Sequence, residues 1–138
     1  NWIAKTLLSF PQAIYCAATS FQPGERTPEE LVDNKCILSQ ENQLWLFRGS
    51  SNTTAIKPKA FMVLSSPEMR LAAVKRNLGL AKLPEYLVQG DSQSQLVKPV
   101  KLTCAPVAQQ LSILYQSRSI PKKTRVFLDF FQSNIGCF

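Results

Sequence analysis

The chain has 138 residues, 45% of them hydrophobic, which suits one globular domain or one large piece of a two-lobed domain and excludes wholesale disorder. Sixteen Lys and Arg against nine Asp and Glu give a formal charge of +7, favouring acidic partners in general. There is no His, which removes the commonest general base and many metal and nucleophilic arrangements, and no apolar run reaches the ~18 residues of a membrane span.

Residues 10–18 form a compact apolar run rich in strand formers. Residues 5–18 faintly imitate a signal peptide, but Pro11 and Gln12 interrupt the run and cleavage would remove a strand. Ser20-Phe21-Gln22-Pro23-Gly24 is turn chemistry. Thr27-Pro28-Glu29-Glu30 opens a short helix, with Thr27 as N-cap, Pro28 at the first helical position and carboxylates facing the positive end of the dipole; Asp33-Asn34-Lys35 stops it. Cys36-Ile37-Leu38 is predicted as a strand, residues 44–47 as another and residues 49–54 as a polar loop. A further strand is expected over residues 55–64, with Pro58 placing an edge or bend near its start.

Ser66, followed by Pro67 and Glu68, caps a second helix whose apolar stripe is Leu71, Val74 and Leu78. Asn77-Leu78-Gly79 ends it, because Asn and Gly both tolerate the left-handed backbone of a helix terminus. Residues 80–83 then read as a strand, Pro84-Glu85 as the start of a short helix reaching Gly90, and residues 96–100 as another strand. A Leu- and Ile-rich strand is expected over 107–115, and a last helix from Ile120 carrying Val126, Phe127, Phe130 and Phe131 as core residues. The alternation of six or seven short strands with four helices predicts an α/β fold with a largely parallel or mixed sheet.

The four cysteines, Cys16, Cys36, Cys104 and Cys137, form no CxxC pair and have no metal-ligand spacing. Cys16 and Cys36 sit in apolar runs, where Cys acts as a small hydrophobe, so free thiols in a reducing, cytoplasmic compartment are expected. An even count keeps a secreted, disulfide-bonded reading open. Asn52-Thr53-Thr54 is a formal glycosylation sequon of a kind common by chance. The densest basic clusters, Lys75-Arg76 and Lys122-Lys123-Thr124-Arg125, fall on predicted helices and read as solvated faces rather than a nucleic-acid patch.

The order of these pieces resembles the effector-binding domain of the LysR-type transcriptional regulators. Asn77-Leu78-Gly79-Leu80-Ala81-Lys82-Leu83-Pro84-Glu85-Tyr86-Leu87 is similar to the family's Gly-Leu-Gly-Ile-Ala, apolar residue, Leu-Pro and helix, with Asn77 in place of the first Gly. Thr27-Pro28-Glu29-Glu30-Leu31 resembles its Thr-Pro-Glu-Asp-Leu, Trp45-Leu46-Phe47-Arg48 its Trp-x-Phe strand, and Thr124-Arg125-Val126-Phe127-Leu128-Asp129-Phe130-Phe131 its closing helix. The resemblance implies a periplasmic-binding-protein-like type II α/β fold: two lobes joined by crossing strands, with a small effector in the cleft. Residues 1–102 are then expected to form the second lobe and residues 103–138 the returning strand and helix of the first. The chain is expected to be the C-terminal remainder of a longer regulator, without the winged helix-turn-helix and the opening of the first lobe, and so to bind effector weakly by itself.

Catalysis has little to stand on, since no Gly-rich phosphate loop or paired-carboxylate motif accompanies the missing His; no enzyme activity, cofactor or metal is expected. Ser65 and Ser66 lie at a helix start, where free N–H groups favour an anion, although capping alone accounts for Ser66. The resemblance makes that helix start part of the effector cleft and nominates Ser39 and Gln40, after the Cys36–Leu38 strand, as its companions. The charge is compatible with a carboxylate-bearing effector. The same resemblance assigns Arg70, Val74, Leu80 and Lys82, on the helix 67–77 and the strand 80–83, to a dimer interface of a homo-oligomer. DNA contact is expected only through the N-terminal domain, and no membrane contact. The alternative reading is a fragment of an extracytoplasmic solute-binding protein of the same fold.

Overall fold

The computed structural model describes residues 2–116, with side chains described for residues 8–110. The expected helix from Ile120 and the thiol of Cys137 lie outside the described residues. Two strands, β1 (Trp2–Phe10) and β10 (Gln109–Gln116), pair antiparallel in one compact unit, running from Trp2 opposite Gln116 to Phe10 opposite Gln109. The other unit spans residues 11–107. Pro11 lacks an N–H and ends the first strand, so the single apolar run expected over 10–18 is two strands, β1 and β2 (Gln12–Ala17).

The larger unit is built on a mixed sheet. Strand β3 (Cys36–Leu38) pairs parallel with β6 (Ala60–Val63), Leu38 standing opposite Val63. On its other side β3 is knit to the start of β7 (Ala81–Pro84): the Ile37 N–H donates to the Leu80 carbonyl at 2.7 Å, and the Leu80 N–H to the Lys35 carbonyl at 2.9 Å. β2 runs antiparallel to β7 with Ile14 opposite Lys82, and β8 (Val97–Pro99) runs antiparallel to β2. The resulting order is β6-β3-β7-β2-β8.

Both faces of this sheet are covered, which is why its strands read as continuous apolar runs rather than alternating ones. Ile14, Cys16, Cys36, Leu38 and Leu80 face a second, antiparallel sheet of order β5-β4-β9, where β4 (Trp45–Arg48) lies between β5 (Thr53–Ile56) and β9 (Ala105–Pro106). Its Trp45, Phe47 and Ile56 complete that half of the core with Leu31. β4 shows the period of two plainly: Trp45 and Phe47 are buried while Leu46 and Arg48 are exposed. Tyr15, Ile37, Ala81 and Leu83 face α1 (Pro67–Lys75), which contributes Leu71, Ala73 and Val74. Each such large side chain withdrawn from water contributes about 1.5–3 kcal/mol. A short helix, α2 (Glu85–Gln89), follows Pro84 and ends at Gly90 as expected.

Three further departures have local causes. The strand expected over 55–64 is two strands in different sheets, because Pro58 falls between β5 and β6. Thr27 precedes a 3₁₀ helix, Pro28–Asp33, but its hydroxyl donates to the Glu30 carboxylate at 3.2 Å and caps no backbone N–H. Leu78 is 37% exposed, since α1 ends at Lys75 and the stripe does not continue past it.

The stop after α1 is sterically fixed. Asn77 adopts φ 60°, the left-handed region that Asn tolerates, and its N–H returns to the Val74 carbonyl at 2.9 Å. Two residues on, a Cβ on Gly79 would stand 2.7 Å from the Lys35 carbonyl oxygen and 3.3 Å from Ile37 Cγ1. Only Gly permits β7 to approach β3 there. Gly79→Ala is therefore expected to lower the free energy of unfolding by about 1–3 kcal/mol, as overpacking does. Urea denaturation checks it, and an unchanged midpoint would show that the close approach is not limiting.

Candidate functional site

Three parallel strands, β6, β3 and β7, end on the same side of the larger unit, and the residues after them gather there. Ligands of open α/β sheets bind outside such carboxyl ends. Ser39 follows β3, and Ser65 follows β6; the two segments are joined where the Leu64 N–H donates to the Leu38 carbonyl at 2.8 Å. Gln40 is exposed beside Ser39. The Ser39 N–H donates to the Gln43 side-chain oxygen at 2.8 Å, which folds the loop back on itself.

Ser66 is occupied as a cap. Its hydroxyl accepts the Met69 N–H at 3.3 Å and donates to the Glu68 carboxylate at 2.9 Å. The Glu68 backbone N–H first, and then the Ser66 hydroxyl, hold the Glu68 carboxyl below the usual carboxylate range. The capping role assigned from sequence is present, and Ser65, exposed, is the serine turned to solvent.

Arg70 reaches back from α1 and closes the turn: its Nη1 donates to the Leu64 carbonyl at 2.7 Å and to the Ser65 carbonyl at 3.0 Å. Burial lowers its pKa. Lys82, at mid β7, is half-buried; desolvation pushes its pKa down, and repulsion from the Arg70 guanidinium pushes it further. The only salt bridge among the described residues is Lys75 with Asp91, at 2.7 Å. Lys82 is thus a desolvated cation beside a second cation, with no carboxylate partner among the described residues.

The sequence had grouped Arg70, Val74, Leu80 and Lys82 as a dimer face. Two of them cannot serve it through their side chains. Val74 is 0% exposed in the α1 side of the core, and Leu80 is 7% exposed in the opposite half. The family resemblance had assigned both positions to that face, but the sheet is covered on each side, so apolar residues there point inward. Arg70 instead closes the turn at Leu64 and Ser65, and Lys82 lies at mid β7 within electrostatic reach of its guanidinium. The signal available in the sequence was Lys82 itself, a charge between Ala81 and Leu83 in an otherwise buried strand.

Cys16, Cys36 and Cys104 are free thiols. Burial pushes the Cys36 thiol up to about 11, so it remains protonated and inert near neutrality. Among the described residues no group of three His, Cys, Asp or Glu is placed to hold a metal ion, and no helix is long and apolar enough to cross a membrane.

A family model described as the LysR substrate binding domain matches residues 1–136. The chain is similar in structure to the full-length virulence activator AphB of Vibrio cholerae, with a TM-score of 0.73 at 18% identity, covering 96% of this chain and 47% of that one. It is likewise similar to the CcmR regulatory domain of Synechocystis PCC6803 in complex with 2-PG, with a TM-score of 0.72 at 13% identity over 96% of this chain and 66% of that one. CrgA of Neisseria meningitidis, a LysR-type transcriptional regulator, aligns with a TM-score of 0.64 at 19% identity, covering 98% and 48%. The chain spans about half the length of the full-length regulators it resembles. No curated protein sequence matches it. The fold is the periplasmic-binding-protein-like type II α/β fold of that family.

The folded pKa of Lys82 lies below its unfolded value, so the unfolded state binds more protons at alkaline pH and stability rises as pH climbs through the lowered pKa toward 10.5. Below that window the buried charge costs stability. Lys82→Met is expected to be more stable than the parent at neutral pH and to lose this alkaline rise, measured by denaturant unfolding from pH 7 to 10.5. A less stable Met variant would mean that Lys82 has a compensating partner.

Proposed function

Because the chain belongs to the LysR substrate binding domain family, we propose that it is a small-molecule effector-sensing module of a transcriptional regulator, and that its ligand is an anion held at the carboxyl ends of β6, β3 and β7. The observation that carries this reading is Lys82. A half-buried ammonium beside Arg70, without a carboxylate partner among the described residues, costs stability that an anion would offset. Proteins retain such costs where a site needs them. The Ser39 and Ser65 hydroxyls and the Gln40 amide supply hydrogen-bonding groups at the same end of the sheet. The CcmR domain in complex with 2-PG supports an effector site in a domain of this fold.

In this reading residues 11–107 correspond to the second lobe, and the strands β1 and β10 to the crossing connection and the first lobe. The ligand acts by population shift: it stabilises whichever arrangement of the regulator binds it more tightly. Contact with DNA and assembly into a homo-oligomer belong to the parent regulator in the cytoplasm, with the three free thiols consistent with a reducing compartment. Arg70 and Lys82 move from the expected dimer face to the ligand, leaving the exposed parts of α1 for a partner subunit. No enzyme activity is proposed. The extracytoplasmic solute-binding alternative is not favoured, since the matched domain and the solved structures are those of regulators.

Calorimetric titration with malonate, a small dianion, tests the site. Binding is expected to weaken by about tenfold or more in Lys82→Gln, the usual cost of losing a charge-assisted hydrogen bond. Equal malonate affinity in the parent chain and the Gln variant would contradict the assignment.

A further inference from the structure

A cavity of about 310 Å³ lies at the opposite, amino-terminal end of β3 and β7. It is bordered by Lys35, just before β3, and by Asn77 and Leu78, just before β7, so the length of β3 separates it from Ser39. Its volume falls at the lower end of those that take small organic ligands. The lining is amphipathic in a particular way. Phe21, Leu80 and Val100 supply apolar wall and Arg26 a positive charge, Lys35 borders it with its ammonium 4.6 Å from the centre of the Phe61 ring, and no Asp or Glu lines it.

The polar side is pre-organised. The backbone of Arg26 is pinned on both sides, its N–H donating to the Lys101 carbonyl at 3.0 Å and its carbonyl accepting from the Thr103 N–H at 2.9 Å. Its guanidinium is oriented by one bond, Nη2 to the Asn34 side-chain oxygen at 2.7 Å, and has no carboxylate partner among the described residues. Across the cavity the Ser20 hydroxyl donates to the Asn77 side-chain oxygen at 2.7 Å, tying the left-handed residue in place. The Lys98 ammonium stands 5.0 Å from the centre of the Phe21 ring, adding a second cation near this wall. The C-terminal end of α1 opposes an anion here, but it carries only about half a charge, against the whole charge on Arg26.

We infer that this cavity is a binding site for a small carboxylate with an apolar body, its carboxylate on the Arg26 guanidinium and its body against Phe21 and Leu80. Planar guanidinium suits a carboxylate through paired hydrogen bonds, and a fixed guanidinium loses little freedom on forming them. The site is distinct from the one at the carboxyl ends, and does not depend on it. A ligand here would bridge the turn after β2, the segment before β3 and the turn before β7.

Benzoate is the probe, added to the isotope-labelled chain and followed by amide NMR. Saturable shifts are expected at Ser20, Phe21, Arg26 and the Asn77–Gly79 turn, leaving Ser39 and Ser65 unmoved. Benzamide, the neutral isostere, and inorganic phosphate, which lacks the apolar body, are each expected to bind about tenfold or more weakly. Arg26→Gln is expected to lose about tenfold or more in benzoate affinity. Leu78→Trp, at an exposed rim position, is expected to abolish binding with an otherwise native spectrum, so the test survives if the Arg26 variant fails to fold. The inference is overturned by any of three results: no shifts at these residues with about 10 mM benzoate, well into the range of weak recognition; equal affinity for benzoate and benzamide; or unchanged binding in Leu78→Trp. Malonate shifts at Ser39 with none of these benzoate shifts would leave the effector reading standing and remove this one.

Discussion

Everything in the larger unit depends on how closely β7 is drawn against β3. Two backbone hydrogen bonds, Ile37 to Leu80 and Leu80 to Lys35, close that seam, and the missing side chain of Gly79 allows it. The seam makes one five-stranded sheet out of the pair β6-β3 and the three strands β7-β2-β8. It also fixes a polarity: parallel strands whose carboxyl ends carry Ser39, Ser65 and the Arg70 clamp, and whose opposite ends carry Lys35, Asn77 and the turn before β7. The helix α1 and the small β5-β4-β9 sheet then cover the two faces, so the strands carry ligand chemistry only at their ends.

The electrostatics follow from this layering. A charge placed on a strand of a doubly covered sheet has little water around it. Lys82 is such a charge, and its neighbour Arg70 has the same sign. The desolvated ammonium costs stability, which is the opposite of what a residue selected for stability alone would do. Ser66, by contrast, is fully explained by its helix: one hydroxyl accepts a backbone N–H and donates to a carboxylate, a cap worth about 1 kcal/mol.

Much of this was legible in the sequence. Pro67 and Glu68 behind Ser66 marked the start of α1, and Asn77-Leu78-Gly79 marked its end, because few residues accept the backbone that such a stop requires. A strand over residues 44–47 was legible, and β4 buries Trp45 and Phe47 while exposing Leu46 and Arg48. The family resemblance, carried by short motifs, agrees with the domain matched over residues 1–136. What sequence spacing missed was long-range. Pro11 and Pro58 each looked like a bend within a strand and instead divide strands that pair with different partners. Val74 and Leu80 looked available to a second subunit, but a helical stripe does not say whether the layer beyond it is water or protein. The resemblance put Lys82 at a dimer face, and its partial burial appears only once β2 stands beside β7.

A crystal structure of the chain grown with malonate would test the central claim most directly. The account predicts dianion density within hydrogen-bonding distance of Lys82 Nζ, at the end of the sheet shared by Ser39 and Ser65. Saturating malonate that leaves that end empty, or settles only on solvent-facing lysines elsewhere, would contradict it.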